Sequence, residues 1–264
     1  MFITETNSTN DLLRQAAADW EHADAVLRAE PLPYLRTDYQ TAGRGQAGNS
    51  WHSRRGQNVL LSVLLRRPPV SATASFRLSM WVSLGVVGVL KELCPDPAAL
   101  TVKWPNDIYA GDRKIAGLLI ENTLDGSRID SSIIGIGLNL NQTDWPDELP
   151  NPVSLKQLSG QTYSPEDVAQ RIVASLHDSL PLLTAPDELR QRYTATLYRR
   201  NGWWPYVERE VSLSPTVIVR ACEPKTDTAF EAVFSGIGDR GELVLTNRNG
   251  QKRMYHFKQI QYLI

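Results

Sequence analysis

The sequence predicts an α+β chain, with helices packed on a β-sheet, followed by a small all-β unit. Three observations carry this expectation. Asn58 to Leu65 is a nearly continuous apolar run of strand length. Phe76, Met80, Leu84, Val87 and Leu90 recur at helical spacing and give one helix an apolar face. From Val207 onward the pattern changes to short alternating segments separated by turns. The 264 residues suffice for one good-sized domain plus a small one. The boundary falls near Gly202 to Pro205, giving a first domain over 1–203 and a second over 204–264.

Along the chain, Phe2-Ile3-Thr4 reads as a short strand. Ser8 or Thr9 then suits an N-cap, with a helix through Leu12, Leu13 and Ala16. A strand ends near Tyr39-Gln40, just before a glycine-rich loop. Thr101 to Trp104 and Ile108 to Ala110 read as strands around a Pro-Asn turn, and Gly111-Asp112 suits a two-residue hairpin turn. Ile115 to Glu121 and Arg128 to Asn141 read as two further strands, and two or three helices follow between Val153 and Arg200. In the second unit the expected strands are Val211-Leu213, Thr216-Arg220, Ala229-Phe234, Glu242-Leu245 and Lys252-Phe257.

Composition narrows the function. A formal net charge of −1 argues against a protein that coats nucleic acid. Two distant cysteines, Cys94 and Cys222, make neither a disulfide framework nor a thiolate metal site and fit a reducing compartment. The four histidines are scattered, with no pair at metal-ligand spacing. The polar N-terminus lacks an apolar signal core, and the Met80–Leu90 stretch is too short to span a bilayer. A soluble, cytoplasmic protein without a membrane partner is expected.

Three segments carry chemistry. Residues 43–48 read Gly-Arg-Gly-Gln-Ala-Gly, the spacing of a dinucleotide-binding fingerprint, but the pattern that follows reads as a strand instead of the required helix. No Asp or Glu occurs between Asp38 and Glu92, while Arg44, Arg54, Arg55, Arg66, Arg67, Arg77 and Lys91 do. Glycines admit backbone N–H groups close to an anion and arginine adds charge-assisted bonds, so a phosphate-bearing ligand fits. A tight turn beside a solvated basic strand fits equally well. Residues 134–141 alternate so that Ile134, Ile136, Leu138 and Leu140 share one face and Gly135, Gly137, Asn139 and Asn141 the other. Glycines in a strand mark the close approach of something flat, a ligand or another backbone. Finally, Lys103 and Lys114 flank a hairpin otherwise made of apolar and turn residues, where each lysine alone would ordinarily snorkel to water.

Together these segments resemble biotin–protein ligases. The matching pieces are Ser8-Thr9-Asn10, Gln40 with Gly43-Arg44-Gly45, Trp51, Lys103-Trp104-Pro105-Asn106-Asp107, Arg113-Lys114 with Ala116-Gly117, and Gly135 with Gly137 and Asn139, in the family's order. The resemblance is close over residues 1–145 and loose over the small β unit. It implies a mixed β-sheet catalytic domain backed by helices, then a small SH3-like β-barrel. It also implies two steps: biotin and Mg-ATP give biotinyl-AMP and pyrophosphate, and a lysine of a biotin carboxyl carrier domain then takes the acyl group.

The same resemblance implies the roles. Arg44 and Lys114 hold the biotin carboxylate and nearby phosphates, and Ser8, Thr9 and Gln40 hydrogen-bond the ureido ring. Asn10, Gly43, Gly45, Gln46 and Gly117 complete the binding set, and the bare face at Gly135 and Gly137 accepts the bicyclic ring. Trp51 packs against adenine and Asn106 reads its edge, with Asn139 and Lys103 helping at the nucleotide. Asp107 orients the carrier lysine. No resident metal site is expected beyond the Mg2+ that accompanies ATP.

The chain also departs from the family. Gln46, Ala47 and Asn49 stand where further basic residues are common, and Arg54 or Arg55 is the expected substitute. The Ser8-Thr9-Asn10 motif begins almost at Met1, which leaves no room for the DNA-binding domain of some members, so no DNA partner is expected. Exposed sheet edges leave a homodimer open. The nearest alternative is a lipoate or octanoate ligase or transferase on the same fold, whose His-containing signature is absent. A non-catalytic sensor would not need both Arg44 and Lys114.

Overall fold

The structure, a computed structural model, describes residues 1–209 and 229–264. The first part is built on a seven-stranded mixed sheet. Its strands are β1 (Phe2–Thr6), β2 (Tyr34–Gln40), β3 (Val59–Arg66), β4 (Leu100–Lys103), β5 (Asp107–Ala110), β6 (Arg113–Asp125) and β7 (Arg128–Leu138), in spatial order β1-β2-β3-β7-β6-β5-β4. Only β1 and β2 run parallel; every other pairing is antiparallel.

Helices cover both faces. α1 (Thr9–Ala18) and the short α2 (Ala25–Ala29) lie on one, where Leu13, Leu27, Leu35, Leu64 and Ile133 form a small buried cluster. α3 (Phe76–Leu93), α4 (Leu155–Ser159), α5 (Pro165–Asp178) and α6 (Pro186–Ala195) belong to the opposite layer. There Leu61 and Val63 of β3 and Ile134, Ile136 and Leu138 of β7 meet α3 residues such as Trp81, Val86 and Leu90. The two-residue period of the strands decides which side chain enters which layer. Local chemistry sets the helix ends: Ser154 and Gln157 form a capping box on α4, and Ser164 caps α5 ahead of Pro165.

The main difference from the sequence pattern lies at the end of β7. The alternation predicts a strand to Asn141, but the strand stops at Leu138. Asn139 donates to Lys114 O and Val153 O, and Asn141 exchanges hydrogen bonds with the Tyr163 backbone. Side-chain amides that satisfy passing backbone groups compete with the ladder and end it.

The second part is a five-stranded antiparallel sheet of β8 (Trp204–Glu208), β9 (Ala229–Ile237), β10 (Leu243–Asn247), β11 (Lys252–Tyr255) and β12 (Ile260–Tyr262), ordered β11-β10-β9-β8-β12. Among the described residues β11 and β12 are the edges, and these five strands alone form no closed barrel. The expected strands Val211-Leu213 and Thr216-Arg220 lie outside the described residues, as does Cys222. β12 was not foreseen, because three residues show no alternation to read. The two parts are joined by specific bonds: Trp104 Nε1 donates to Gly241 O at 2.8 Å, and Arg190 Nη1 to Ile237 O at 2.5 Å. Among the described residues no helix is long and apolar enough to cross a membrane.

Candidate functional site

A cavity of 480 Å³ opens where α1, β2, β6 and β7 meet the glycine-rich loop, the β4–β5 turn and the edge of the second sheet. That volume suits a small-molecule ligand. One wall is a buried polar chain. Thr9 N and Oγ1 lie 2.8 and 3.1 Å from Gln40 Oε1. Ser62 Oγ, fully buried on β3, lies 2.6 Å from both Thr9 Oγ1 and Asn10 Oδ1. Asn10 Nδ2 donates to Glu121 Oε2 at 2.7 Å. Five side chains from four elements are thereby locked into one hydrogen-bonding surface, and buried polar groups of this kind are held where their partners are.

The glycines of β6 and β7 are explained by what lies on them. A side chain at Gly135 would meet Asn10 Oδ1 at 2.6 Å. One at Gly137 would overlap the Trp51 indole, and one at its cross-strand partner Gly117 would meet the same ring at 3.0 Å. The flat group on the bare face is thus the protein's own Trp51, beside the amide of Asn10. Gly43 is required for a similar reason, since a Cβ there would sit 2.8 Å from Trp51 O. The loop folds back on itself through Gly45 N to Asn49 O at 2.6 Å and Trp51 N to Gly43 O at 2.9 Å. Its Arg44 forms ion pairs with Asp11 at 2.6 Å and Glu121 at 3.3 Å.

The lysine hairpin supplies the opposite side. Lys114 Nζ lies 2.7 Å from Asp107 Oδ1 and 5.8 Å from the centre of the Trp51 ring. Lys103 Nζ donates to Tyr109 Oη at 3.0 Å and lies over the rings of Tyr109 and Tyr262, at 4.8 and 5.3 Å. Burial pushes the Lys103 amine below its ordinary range, against the pull of nearby Asp107. Asn106 is buried, with its amide nitrogen bonded to Leu118 O. From the second sheet and its flanks, Arg209, Phe257, Lys258, Ile260, Gln261 and Tyr262 complete the lining.

The residues singled out in the sequence therefore converge. Ser8, Thr9, Asn10, Gln40, Arg44, Gly45, Gln46, Trp51, Lys103, Asn106, Asp107, Lys114, Gly117, Gly135 and Gly137 all line this cavity. Gly43 and Asn139 do not. Gly43 shapes the loop, and Asn139 braces the backbone of Lys114 and Val153 from a buried position. Arg54 and Arg55, the expected substitutes for the missing loop cations, are engaged elsewhere. Arg54 pairs with Asp144, Arg55 with Glu5, and neither lines the cavity. Arg209 and Lys258 do, and the sequence offered no sign of it. Ser62 was missed although a polar residue inside the apolar run of β3 was visible.

The comparisons with known proteins agree with this geometry. The model of the biotin/lipoate A/B protein ligase family matches residues 7–139. A biotin–[acetyl-CoA-carboxylase] ligase of Paracoccus denitrificans is 30% identical over 250 residues, covering 90% of this chain and 95% of that protein. The bifunctional ligase/repressor BirA of Bacillus subtilis is 31% identical over 221 residues, which span 83% of this chain and 62% of that protein. In overall fold the chain resembles the biotin protein ligase of Aquifex aeolicus solved with biotin and ATP. The TM-score is 0.70 at 19% identity, over 100% of this chain and 98% of that one.

Proposed function

The chain belongs to the biotin/lipoate A/B protein ligase family, and we propose that it uses ATP to join biotin to a lysine of a biotin carboxyl carrier domain, through biotinyl-5′-AMP. One observation carries this reading. A neutral hydrogen-bonding wall (Thr9, Asn10, Gln40) and two paired cations (Arg44, Lys114) face one cavity of 480 Å³. A ureido ring and a carboxylate, joined by a short chain, ask for that combination.

In the first step a biotin carboxylate oxygen attacks the α-phosphorus of ATP, and the bond to the β-phosphate breaks. A carboxylate is already a nucleophile, so the obstacle is the meeting of two anions, and positioned cations lower it. Arg44 and Lys114 take that role. Lys103, Arg209 and Lys258 stand on the same cavity and suit the remaining phosphates. The Asn106 amide nitrogen is committed to Leu118 O, which leaves its carbonyl oxygen to accept from the adenine amino group. Trp51 offers an apolar ring to the base.

Mg2+ would arrive on the nucleotide. Among the described residues no group of three or more His, Cys, Asp or Glu could hold a metal ion, and Asp107 is the carboxylate that lines the cavity. Mg2+ commonly takes one carboxylate plus substrate phosphates and water. In the second step the carrier amine attacks the acyl carbon, AMP leaves, and the amine loses a proton. Asp107, bonded to Lys114 and facing the cavity, is assigned the role of orienting that amine. The division into a catalytic domain over 1–203 and a smaller domain over 204–264 belongs to this reading, as does a cytoplasmic setting.

The test is direct. The protein is incubated with biotin, Mg-ATP and an isolated carrier domain, with lipoate as a competing acid. The expected result is a mass gain of one biotin on one carrier lysine, with release of AMP and pyrophosphate. Transfer of lipoate instead would assign the chain to the other branch of the family.

A further inference from the structure

Arg44 is not alone at the cavity mouth. Its Nη2 lies 2.6 Å from Asp11 Oδ1, and its terminal nitrogens lie 3.3 Å from the two Glu121 oxygens. The same carboxylates hold Arg14, whose Nη1 is 2.7 Å from Asp11 Oδ1 and whose Nη2 is 2.6 Å from Glu121 Oε2. Two guanidiniums and two carboxylates thus close a charge-balanced square drawn from α1, β6 and the glycine-rich loop. Asn10 Nδ2, bonded to Glu121 Oε2 at 2.7 Å, ties the square to the buried polar wall.

The loop is therefore fastened at both ends by different physics. Trp51 is fastened by packing on Gly117 and Gly137, and Arg44 by charge. Exposed ion pairs add little to global stability, so their effect here falls on local position. We propose that Asp11, Glu121 and Arg14 are positioning residues that seat Arg44, and with it the loop, over the cavity before substrate arrives. This rests on the reading of the cavity as the biotin and ATP site.

Three features make the seat compatible with an anionic substrate. Arg14 balances the second carboxylate, so the square as a whole does not repel a carboxylate or phosphate. A guanidinium has more N–H donors than these contacts use, so Arg44 keeps donors for the ligand. Preorganisation then spares the substrate the entropy of ordering a free arginine. Sequence supports the device locally, since Asp11 and Arg14 are three apart on α1 and Asp11 sits in its first turn.

Glu121→Gln removes the charge but keeps an oxygen for Asn10, Asp11→Asn removes the other charge, and Glu121→Asp serves as rescue. The expected result for Glu121→Gln is a biotin KM raised by about three- to tenfold, with kcat within about twofold and an unchanged melting temperature. Glu121→Asp should recover most of that loss. The double variant Asp11→Asn/Glu121→Gln should raise the biotin KM at least as far. A biotin KM at the wild-type value in Glu121→Gln and in the double variant overturns the proposal. So does a lower one, which would mean that the carboxylates compete with substrate for Arg44. Hydrogen exchange at the Gly45 and Trp51 amides reads the seat without any reaction. Faster exchange in the double variant supports it, and unchanged exchange overturns it even if biotin proves not to be the substrate.

Discussion

The two sides of the cavity are built differently. The polar wall of Thr9, Asn10, Gln40 and Ser62 stands on regular elements, is largely buried, and is cross-linked by hydrogen bonds of 2.6–3.1 Å. The cationic side draws on a loop, a hairpin and the second sheet, and Arg44 and Lys114 there are held by carboxylates at partly exposed positions. A neutral ring is recognised by fixed donors and acceptors, which reward rigidity. Phosphates that arrive, break apart and leave need charges that can let go. The first side should therefore respond to mutation through stability and ligand affinity together, the second through rate with little change in stability.

The largest effect tests that contrast directly. Lys114→Ala should lower kcat/KM for biotin adenylation by about a hundred- to a thousandfold, the scale of losing one aimed charge at a developing anion. Its melting temperature should stay near wild type, because Lys114 is partly exposed and Asp107, its partner, is too. Steady-state kinetics alongside calorimetry decide the point. A large fall in melting temperature would show the hairpin to be a stability element and break the contrast.

Ser62→Ala sharpens the other side. It changes the packing little and removes a fully buried hydroxyl, leaving Thr9 and Asn10 each short of a partner. A loss of about 1–3 kcal/mol in unfolding free energy is expected, with a raised biotin KM. Denaturant titration and biotin calorimetry should move together. Weaker biotin binding at unchanged stability would mean that the wall is not cross-linked as described.

Much of this arrangement was legible because its signals are local. Gly135 and Gly137 within a strand announced a close approach, and the order of Ser8-Thr9-Asn10, Gly43-Arg44-Gly45 and Lys103 to Asp107 announced a common site. The identity of the approaching group was not legible. Trp51 reaches Gly137 through a turn of the chain that no periodicity encodes. Asn139 and Asn141 looked like ligand groups because alternation put them on the glycine face, yet their amides end the strand instead. The second sheet's share, Arg209, Lys258 and Tyr262, was invisible because it depends on how two separately patterned units dock.

Lys103 lies where the two parts meet, and its effect is smaller and depends on pH. Burial lowers its pKa in the folded protein, while the unfolded chain keeps the ordinary lysine value, about 10.4. Below the folded pKa both states carry the proton, and the folded state bears the cost of a half-hidden cation. As pH rises from the folded pKa toward the unfolded one, the folded state sheds its proton first and stability rises. Lys103→Met should therefore be more stable than wild type near neutrality, and the gap should narrow as pH approaches 10.4. Thermal melts at several pH values check the sign. A gap that widens with pH would mean that the Tyr109 and Tyr262 rings outweigh the burial of the amine.

The smallest effect concerns cations that belong to neither side. Arg54 and Arg55 lie in the basic segment after the glycine-rich loop, but each spends its charge on a surface carboxylate, Asp144 and Glu5. Exchanging both arginines for glutamate should cost about 0–1 kcal/mol per lost pair and leave the KM for ATP unchanged. Nucleotide binding by calorimetry, repeated at low and high salt, separates a contact from a distant field. A loss of ATP affinity at high salt would place one of these side chains on the triphosphate, and the cationic side would then reach beyond the cavity lining into the strand that follows the loop. Unchanged affinity leaves Lys103, Arg209 and Lys258 as the cations whose removal must weaken ATP if the nucleotide lies where the lining puts it.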